Sequence, residues 1–243
     1  MSGTSLPGVA ILAVDSNRSR MYLHRLAGEG LLPSRAILLH KPEQRTPEDV
    51  AIGREKYRVS PHAELRLSTV ELLEQYEIPT VSLSTIDPND PDVVEAVAGL
   101  DQEVVIYSGP GGALLRDPLL EAGKRFLHVH PGIVPDFRGS TTVYYMLLAE
   151  GVVGATAFFL NKEIDKGDVV AQKRYPAPAD RRTLDLYYDP WVRAQLLAEV
   201  LERYRHSGTF ETWPQSDKGG ETYFIVHPVL KHIAMLAGSS SAF

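Results

Sequence analysis

The chain has 243 residues, 44% of them hydrophobic, enough for one large α/β domain or two small ones with a buried core. Its formal net charge is -6 and its Lys and Arg residues are scattered, which disfavours a nucleic-acid-binding protein. The absence of cysteine excludes disulfides, thiolate metal sites and a cysteine nucleophile. Residues 1–7 lack the pattern of a signal peptide, and no apolar run approaches the roughly 18–20 residues of a membrane helix. We therefore expect a cytoplasmic protein with no membrane partner.

Short apolar runs alternate with helical patterns in the first half of the chain. The runs predict strands at residues 8–14, 36–39, 79–83 and 104–107. The patterns predict helices after residue 17, at 68–75 and at 92–98, the first of them ending at Gly28 and Gly30. Residues 41–61 are polar and proline-rich, and we expect a surface loop with one short helix there.

The same alternation continues in the second half. It predicts strands at residues 126–129, 155–160 and 168–174, and helices at 118–122, 141–149 and 183–206. Pro190 should break or restart the last of these helices. In the tail, residues 222–226 alternate like an edge strand and residues 229–236 suit a short helix.

This order of elements predicts an α/β fold with a Rossmann-like, mainly parallel sheet and helices on both faces. In such sheets the functional sites lie beyond the carboxyl ends of the strands. The segments 15–17, 108–112 and 130–139 all follow predicted strands, so candidate functional residues are sought there.

Two histidines, His128 and His130, end the strand predicted at residues 126–129. Residues two apart on a strand point to the same face, so both rings can reach one crevice. A histidine exchanges protons near neutral pH without much tuning, which suits acid–base catalysis. The alternative is that one of them is a hydrogen-bonded structural residue at the sheet edge.

An acidic turn at residues 163–168 supplies the second candidate group. Asp165 could orient a histidine or accept a proton there, while Ile164 should anchor the segment inward and Gly167 permits a turn with positive φ. The three carboxylates of this segment could equally do no more than solvate the turn.

Metal binding is a competing chemistry for the histidine pair. His128 and His130 with one aspartate could hold Zn²⁺ or Fe²⁺, with His227 or His232 added if the tail folds back. The sequence fixes no third ligand, so we assign no metal site.

The glycine-rich segment at residues 108–112 could bring bare backbone close to a ligand. It does not have the spacing of a dinucleotide-binding fingerprint or of a phosphate-binding P-loop. A simple turn explains it equally well.

Taken in order, these motifs resemble those of the folate-dependent formyltransferases, a family that includes glycinamide ribonucleotide transformylase, methionyl-tRNA formyltransferase and sugar N-formyltransferases. The family pattern is Asn-x-His-Pro-Ser at a strand end, a Leu-Leu-Pro and Arg-Gly loop, a Gly-x-Thr strand and a Leu-Asp-x-Gly-Asp turn. The corresponding segments of this chain are His128-Val129-His130-Pro131-Gly132, Ile133-Val134-Pro135, Arg138-Gly139, Gly154-Ala155-Thr156 and Ile164-Asp165-Lys166-Gly167-Asp168. The resemblance covers about residues 8–216.

The resemblance implies a formyl group donated by N10-formyltetrahydrofolate and an amine that accepts it through a tetrahedral oxyanion. It places His130 on the family's catalytic histidine and Asp165 on its catalytic aspartate, with His128 as the oxyanion donor. The folate would lie along the loops at 108–115 and 161–165. The residues expected to bind it are Ser108, Gly109, Gly112, Leu114, Leu115, Asn161 and Ile164.

Two positions depart from the family pattern. His128 stands where the family has its catalytic asparagine, and Gly132 replaces the serine that follows. Losing an oxyanion donor typically costs on the order of 10²–10³ in rate, but an imidazole can also donate a hydrogen bond. Formyl transfer is therefore the main expectation. The alternatives are hydrolysis, with folate or with a metal, and a non-catalytic folate-binding protein.

We expect residues 1–208 to form the catalytic domain and residues 209–243 a C-terminal extension packed on it. We expect no counterpart of the basic C-terminal domain of the tRNA enzymes, and the chain is acidic, so the expected acceptor is the amine of a small metabolite rather than a nucleic acid. The tail could shape the acceptor pocket or form a homodimer contact.

Overall fold

The computed structural model describes residues 5–41, 60–216 and 219–237. They divide into two compact units, with the boundary between His128 and Val129. The surface loop expected at residues 41–61 lies almost entirely outside the described residues. The predicted division at residue 208 stays a prediction.

The first unit is built from parallel strands and helices. Its strands are β1 (Ser5–Val14), β2 (Leu32–Leu39), β3 (Thr80–Leu83), β4 (Val104–Ser108) and the first part of β5 (Arg125–His130), hydrogen-bonded in the order β3-β2-β1-β4-β5. Its helices are α1 (Asn17–Glu29), α2 (Thr69–Gln75), α3 (Pro91–Ala98) and α4 (Asp117–Leu120), with a 3₁₀ turn at Ala63–Leu65. All four pairings recorded among these strands are parallel.

Capping residues start and stop the helices of this unit. Ser16 accepts a hydrogen bond from the backbone N–H of Ser19 at the start of α1, and Gly30 ends the helix with φ of 66°. Ser68 and Glu71 form a reciprocal capping box at α2. Strand β4 is buried throughout, as expected for a parallel strand covered on both faces.

The second unit contains the end of β5 and the remaining elements. Its strands are β6 (Phe137–Gly139), β7 (Val152–Phe159), β8 (Val169–Pro176) and β9 (Glu221–Tyr223). Its helices are α5 (Thr142–Glu150), α6 (Asp189–Ser207) and α7 (Pro228–Leu236), with a 3₁₀ turn at Arg181–Thr183 and a π-helical turn at Leu184–Tyr188. β7 lies between β5 and β8, and β6 pairs with β9 in a separate two-stranded sheet.

The expected α/β class with a mainly parallel sheet is confirmed, with three refinements. β7 and β8 are antiparallel, because a short turn rather than a crossover helix connects them. Pro190 lies in the first turn of α6, where its missing N–H costs nothing, and the chain before it is π-helical. The predicted edge strand at 222–226 is shorter, at Glu221–Tyr223, and pairs with a strand that the sequence did not predict. Within the described ranges, no helix is both long and apolar enough to span a membrane.

Candidate active site

The centre of the candidate site is His130, the last residue of β5, which is 2% exposed. Its Nε2 atom lies 2.8 Å from the carbonyl oxygen of Phe137 and 3.2 Å from the hydroxyl oxygen of Thr142. Thr142 donates its own proton to the carbonyl of Pro131, so towards the histidine it accepts. Because carbonyl oxygens only accept, Nε2 carries the ring's hydrogen, and Nδ1 is the basic nitrogen of the neutral ring.

Asp165 lies against that basic nitrogen. Its Oδ2 atom is 3.4 Å from Nδ1 of His130, and the same oxygen accepts a hydrogen bond of 2.7 Å from the backbone N–H of Gly139. Asp165 has a left-handed backbone with φ of 52°, which aspartate tolerates better than most residues. Its side chain keeps 14% exposure against 3% for the histidine, so the carboxylate is the more solvent-accessible member of the pair.

Burial lowers the pKa of His130 below its ordinary value, because the charged ring would lose its hydration. The carboxylate of Asp165 acts in the opposite direction by stabilising the imidazolium, and the nearby Arg193 guanidinium disfavours it. The ring is therefore neutral at pH 7. It can take a proton at Nδ1, and the resulting charge would face a carboxylate.

Side chains of α6 and β7 bind the backbone immediately before and after His130. Arg193 on α6 donates from Nε to the carbonyl oxygen of Val129 at 2.8 Å, and its Nη1 lies 3.4 Å from Asp189. Thr156 on β7 donates to the carbonyl of Gly132 at 2.6 Å and accepts from the backbone N–H of Val134. These bonds fix the backbone on both sides of His130.

The absence of a side chain at Gly132 leaves space for the His130 ring and its hydrogen-bond partners. A Cβ atom at this position would lie 2.7 Å from the carbonyl oxygen of Phe137, 2.9 Å from the Thr142 hydroxyl and 3.0 Å from Nε2 of His130. These are the three atoms of the hydrogen-bonded group described above. The serine of the family pattern could not be accommodated here without moving them.

His128, the other predicted catalytic residue, is the last residue of the first unit. Its Nδ1 atom lies 3.5 Å from the carbonyl oxygen of Tyr107, and its ring centroid is 5.9 Å from that of Tyr107. A contact of 3.5 Å is a weak hydrogen bond at best. If Nδ1 donates this hydrogen bond, the neutral ring carries no hydrogen on Nε2. Nε2 can then donate to an oxyanion only when the ring is protonated.

The predicted folate-binding residues of the first unit lie at and after the end of β4. Arg18 donates to the Ser108 hydroxyl at 3.1 Å and to the Gly109 carbonyl. Gly112 has φ of 78° and open space at its Cβ position. Leu114 is 57% exposed and Leu115 is partly buried.

In the second unit, Asn161 and Ile164 lie in the exposed turn that carries Asp165. The Asn161 side chain accepts from the backbone N–H of Glu163 at 2.9 Å. The expectation that Ile164 anchors this turn inward is wrong, because its side chain is 48% exposed. Gly167 does not have the positive φ expected of it; glycine is needed there because a Cβ would lie 1.6 Å from the carbonyl oxygen of Phe159.

Three groups of the site were not predicted from the sequence. They are the Phe137 carbonyl, the Gly139 N–H and the side chain of Gln215, which donates to the carbonyl oxygens of Asp165 and Gly167. The first two are backbone groups, which no side-chain pattern announces. Across the described ranges, no group of three or more His, Cys, Asp and Glu residues is arranged to hold a metal ion.

A buried, neutral histidine with its basic nitrogen against a carboxylate, at a strand end in an α/β fold, has the arrangement that acid–base catalysis requires. The sequence profile of the family described as Formyl transferase matches residues 54–192, more than half of the chain. The protein belongs to this formyl transferase family.

Among curated relatives, a methionyl-tRNA formyltransferase from Chloroflexus aurantiacus is 33% identical over 142 residues. The match covers 58% of this chain and 45% of the relative, and the chain spans about half the length of the curated relatives it matches.

Solved structures of similar fold cover more of the chain. A sugar N-formyltransferase from a Shewanella species matches 97% of this chain and 89% of its own, with a TM-score of 0.57 and 15% identity. An N-formyltransferase from Helicobacter canadensis, in complex with folinic acid and dTDP-3-aminofucose, matches 90% and 71% respectively, with a TM-score of 0.59 and 15% identity. At this identity the likeness establishes the fold.

Proposed function

We propose that this protein transfers a formyl group from N10-formyltetrahydrofolate to the amine of a small metabolite. The observation that carries the proposal is the pairing of His130 and Asp165, whose Nδ1 and Oδ2 atoms are 3.4 Å apart, in a chain of the formyl transferase family. The folate supplies an activated formyl carbon, and attack by an amine on it needs a group that takes up the proton that the amine loses.

His130 can be that group. In its neutral form Nδ1 has a free lone pair facing Asp165, and Nε2–H is already bound to the Phe137 carbonyl. A proton taken from the attacking amine, directly or through Asp165 and water, produces an imidazolium that the carboxylate stabilises. The same proton can then pass to the departing nitrogen of the donor, which leaves the pair as it began.

Each unit offers surface suited to a folate. Pterin rings are recognised by backbone hydrogen bonds and apolar contact. In the first unit, Gly111 and Gly112 are exposed, with nothing within 4 Å of their Cβ positions, and Leu114 is solvent-exposed close by in the chain. In the second unit, Ile164 exposes apolar surface next to Asp165. We propose that the predicted folate-binding residues act in this way.

The choice of acceptor rests on the charge of the chain. A net charge of -6 favours a small amine over a tRNA, because binding of nucleic-acid phosphates requires clustered positive charge. The relatives named methionyl-tRNA formyltransferase make a tRNA acceptor the competing possibility. We also propose that His128 donates a hydrogen bond to the developing oxyanion in place of the family's asparagine.

Release of tetrahydrofolate from the formyl donor tests the proposal. We expect release to depend on an added amine and to be found with one of a panel of aminosugar nucleotides, glycinamide ribonucleotide and amino acids, measured beside methionyl-tRNA. His130→Asn should lower kcat at least about 10²-fold, because a general base contributes 10²–10⁴, whereas His128→Asn should retain or raise activity. In the wild type, kcat/KM should fall as the pH drops through the lowered pKa of His130.

Other results would replace the proposal. Release without any amine would make the protein a hydrolase, and folate binding without turnover between pH 6 and 9 would leave only a binding function. Activity confined to methionyl-tRNA would overturn the small-metabolite acceptor. If His128→Asn abolishes transfer in a folded protein, then His128 does something that an asparagine amide cannot.

A further inference from the structure

Gln215 connects the aspartate turn to the rest of the second unit. Its Nε2 atom donates hydrogen bonds of 2.8 Å to the carbonyl oxygen of Asp165 and of 2.9 Å to that of Gly167. One side chain thus holds two carbonyls of the turn and leaves the Asp165 carboxylate free to face His130.

Arg138 fixes the orientation of this amide. Its Nε and Nη2 atoms lie 3.2 Å and 3.1 Å from Oε1 of Gln215, and its side chain is buried. A guanidinium can only donate and a backbone carbonyl can only accept, so the amide fits in one orientation. A carboxylate at position 215 could keep the bonds to Arg138, but it would turn an oxygen towards two carbonyl oxygens.

The backbone places Gln215 beside the turn. Trp213 exchanges hydrogen bonds of 2.8 Å and 2.9 Å with Val169, the first residue of β8. This bridge lies two residues beyond Gly167 in one segment and two residues before Gln215 in the other. The side chain of Gln215 therefore reaches the turn from a backbone that is already anchored.

Gln215 and Arg138 belong to the same hydrogen-bond network as His130 and Asp165. Arg138 is followed in the chain by Gly139, whose N–H donates to Oδ2 of Asp165, and Oδ2 is the atom 3.4 Å from the histidine ring. The backbone and the carboxylate of Asp165 are thus held from separate directions. A left-handed aspartate needs such support, because its conformation is not the one it prefers.

We propose that Gln215, oriented by Arg138, is a positioning residue that holds the carboxylate of Asp165 at the basic nitrogen of His130. Its catalytic consequence rests on the proposed function, whereas its effect on the histidine does not. The competing explanation is that Gln215 only anchors the segment after α6 to the second unit, through its bonds to Arg138. In that case, substituting Gln215 would leave the interaction between His130 and Asp165 unchanged.

The test measures how strongly Asp165 acts on His130, by NMR titration of the His130 ring. The readout is the change in the pKa of His130 caused by Asp165→Asn, which should lower it because the carboxylate is lost. Asp189 and Arg193, the other charged groups that act on the ring, stay in place in every variant. The measurement is made in wild type, in Gln215→Met and in Gln215→Glu.

We expect the effect of Asp165→Asn to shrink by at least half in both Gln215 backgrounds. Because the comparison is made within each background, the added charge of the glutamate cancels. The control is Gln102→Met: this glutamine also donates to a backbone carbonyl, that of Pro7, and it should leave the effect unchanged. An undiminished effect in a folded Gln215 variant would overturn the proposal.

Kinetics give a second readout if formyl transfer is found. Gln215→Glu should lower kcat about tenfold or more with little change in KM, and in an Asp165→Asn background it should lower kcat no further. Equal losses in both backgrounds would show that Gln215 does not act through Asp165. Should the wild type transfer no formyl group, the titration still decides the question, so the two proposals fail separately. If Gln215→Met does not fold, Gln215→Glu, which can keep its bonds to Arg138, carries the test.

Discussion

At the scale of single residues, the site is defined by what surrounds Nε2 of His130. This nitrogen is bound to the Phe137 carbonyl and the Thr142 hydroxyl, so the histidine meets Asp165 through Nδ1. The motif order in the sequence predicted the histidine and the aspartate. It did not predict which ring nitrogen is basic, because that depends on a backbone carbonyl seven residues away, brought close by the turn through Pro135.

Gly132→Ser tests how closely this histidine is enclosed. The substitution restores the residue of the family pattern, yet its Cβ would lie 2.7 Å from a backbone oxygen that is itself bound to His130. Overpacking of this kind typically costs 1–3 kcal/mol, so we expect the free energy of unfolding to fall by about that amount. The ring of His130 should also shift, which the chemical shifts of the ring would report.

The matched control is Gly28→Ser in α1, where an added Cβ meets nothing within 4 Å. Serine there should leave stability unchanged or raise it slightly, because glycine is a poor helix former. If Gly132→Ser is as well tolerated as Gly28→Ser, the enclosure of His130 described above is wrong.

At the scale of elements, the tail contributes a strand to the site. β9 runs parallel to β6, and Gly139 lies opposite Tyr223 with φ of 96°. A Cβ on Gly139 would lie 2.2 Å from the carbonyl oxygen of Tyr223. The pairing therefore helps to hold the backbone N–H that Gly139 donates to Asp165.

The buried apolar runs within the long strands were predicted and this pair was not, for a physical reason. Residues 9–13 of β1 and 104–107 of β4 are continuous runs of buried apolar residues, and such runs are visible in a sequence. β6 and β9 have three residues each, too few to show a period of two. What defines them is the pairing itself and the packing of Tyr223 on Phe137 and Tyr145, which are contacts between distant parts of the chain.

Tyr223→Ala should therefore weaken the element that supports Asp165. The ring centroid of Tyr223 lies 5.7 Å from that of Phe137 and 4.4 Å from that of Tyr145. Loss of a partly buried aromatic side chain and two ring contacts should cost about 2–3 kcal/mol, measured by urea unfolding. Phe224→Ala is the control: its side chain is 84% exposed, and its removal should change stability by less than about 0.5 kcal/mol. Equal effects of the two substitutions would contradict the packing of β9.

At the scale of the whole molecule, two histidines make the stability depend on pH. Burial lowers the pKa of His130, and it also lowers that of His24, where Glu64 partly offsets the effect. Both rings are neutral in the folded protein, while in the unfolded chain they take up a proton near pH 6.5. The unfolded state then binds more protons than the folded state below about that pH, so the stability must fall on acidification. Burial opposes ionisation of Asp15, but Arg20 and the hydrogen bonds from Thr69 lower its pKa overall, so its contribution to stability is lost only below about pH 4.

We therefore expect the free energy of unfolding to decrease between pH 7 and pH 5, by at most about 1.4 kcal/mol per pH unit for each histidine. His24 is only partly buried, so it should contribute less to this decrease than His130.

His130→Asn should reduce the pH dependence of the free energy of unfolding most and His24→Asn less, measured by urea unfolding at several pH values. A slope that is the same in wild type and in His130→Asn would show that the ring of His130 can be protonated in the fold as easily as in the unfolded chain. The assignment of His130 as a neutral proton acceptor, on which the proposed function depends, would then be wrong.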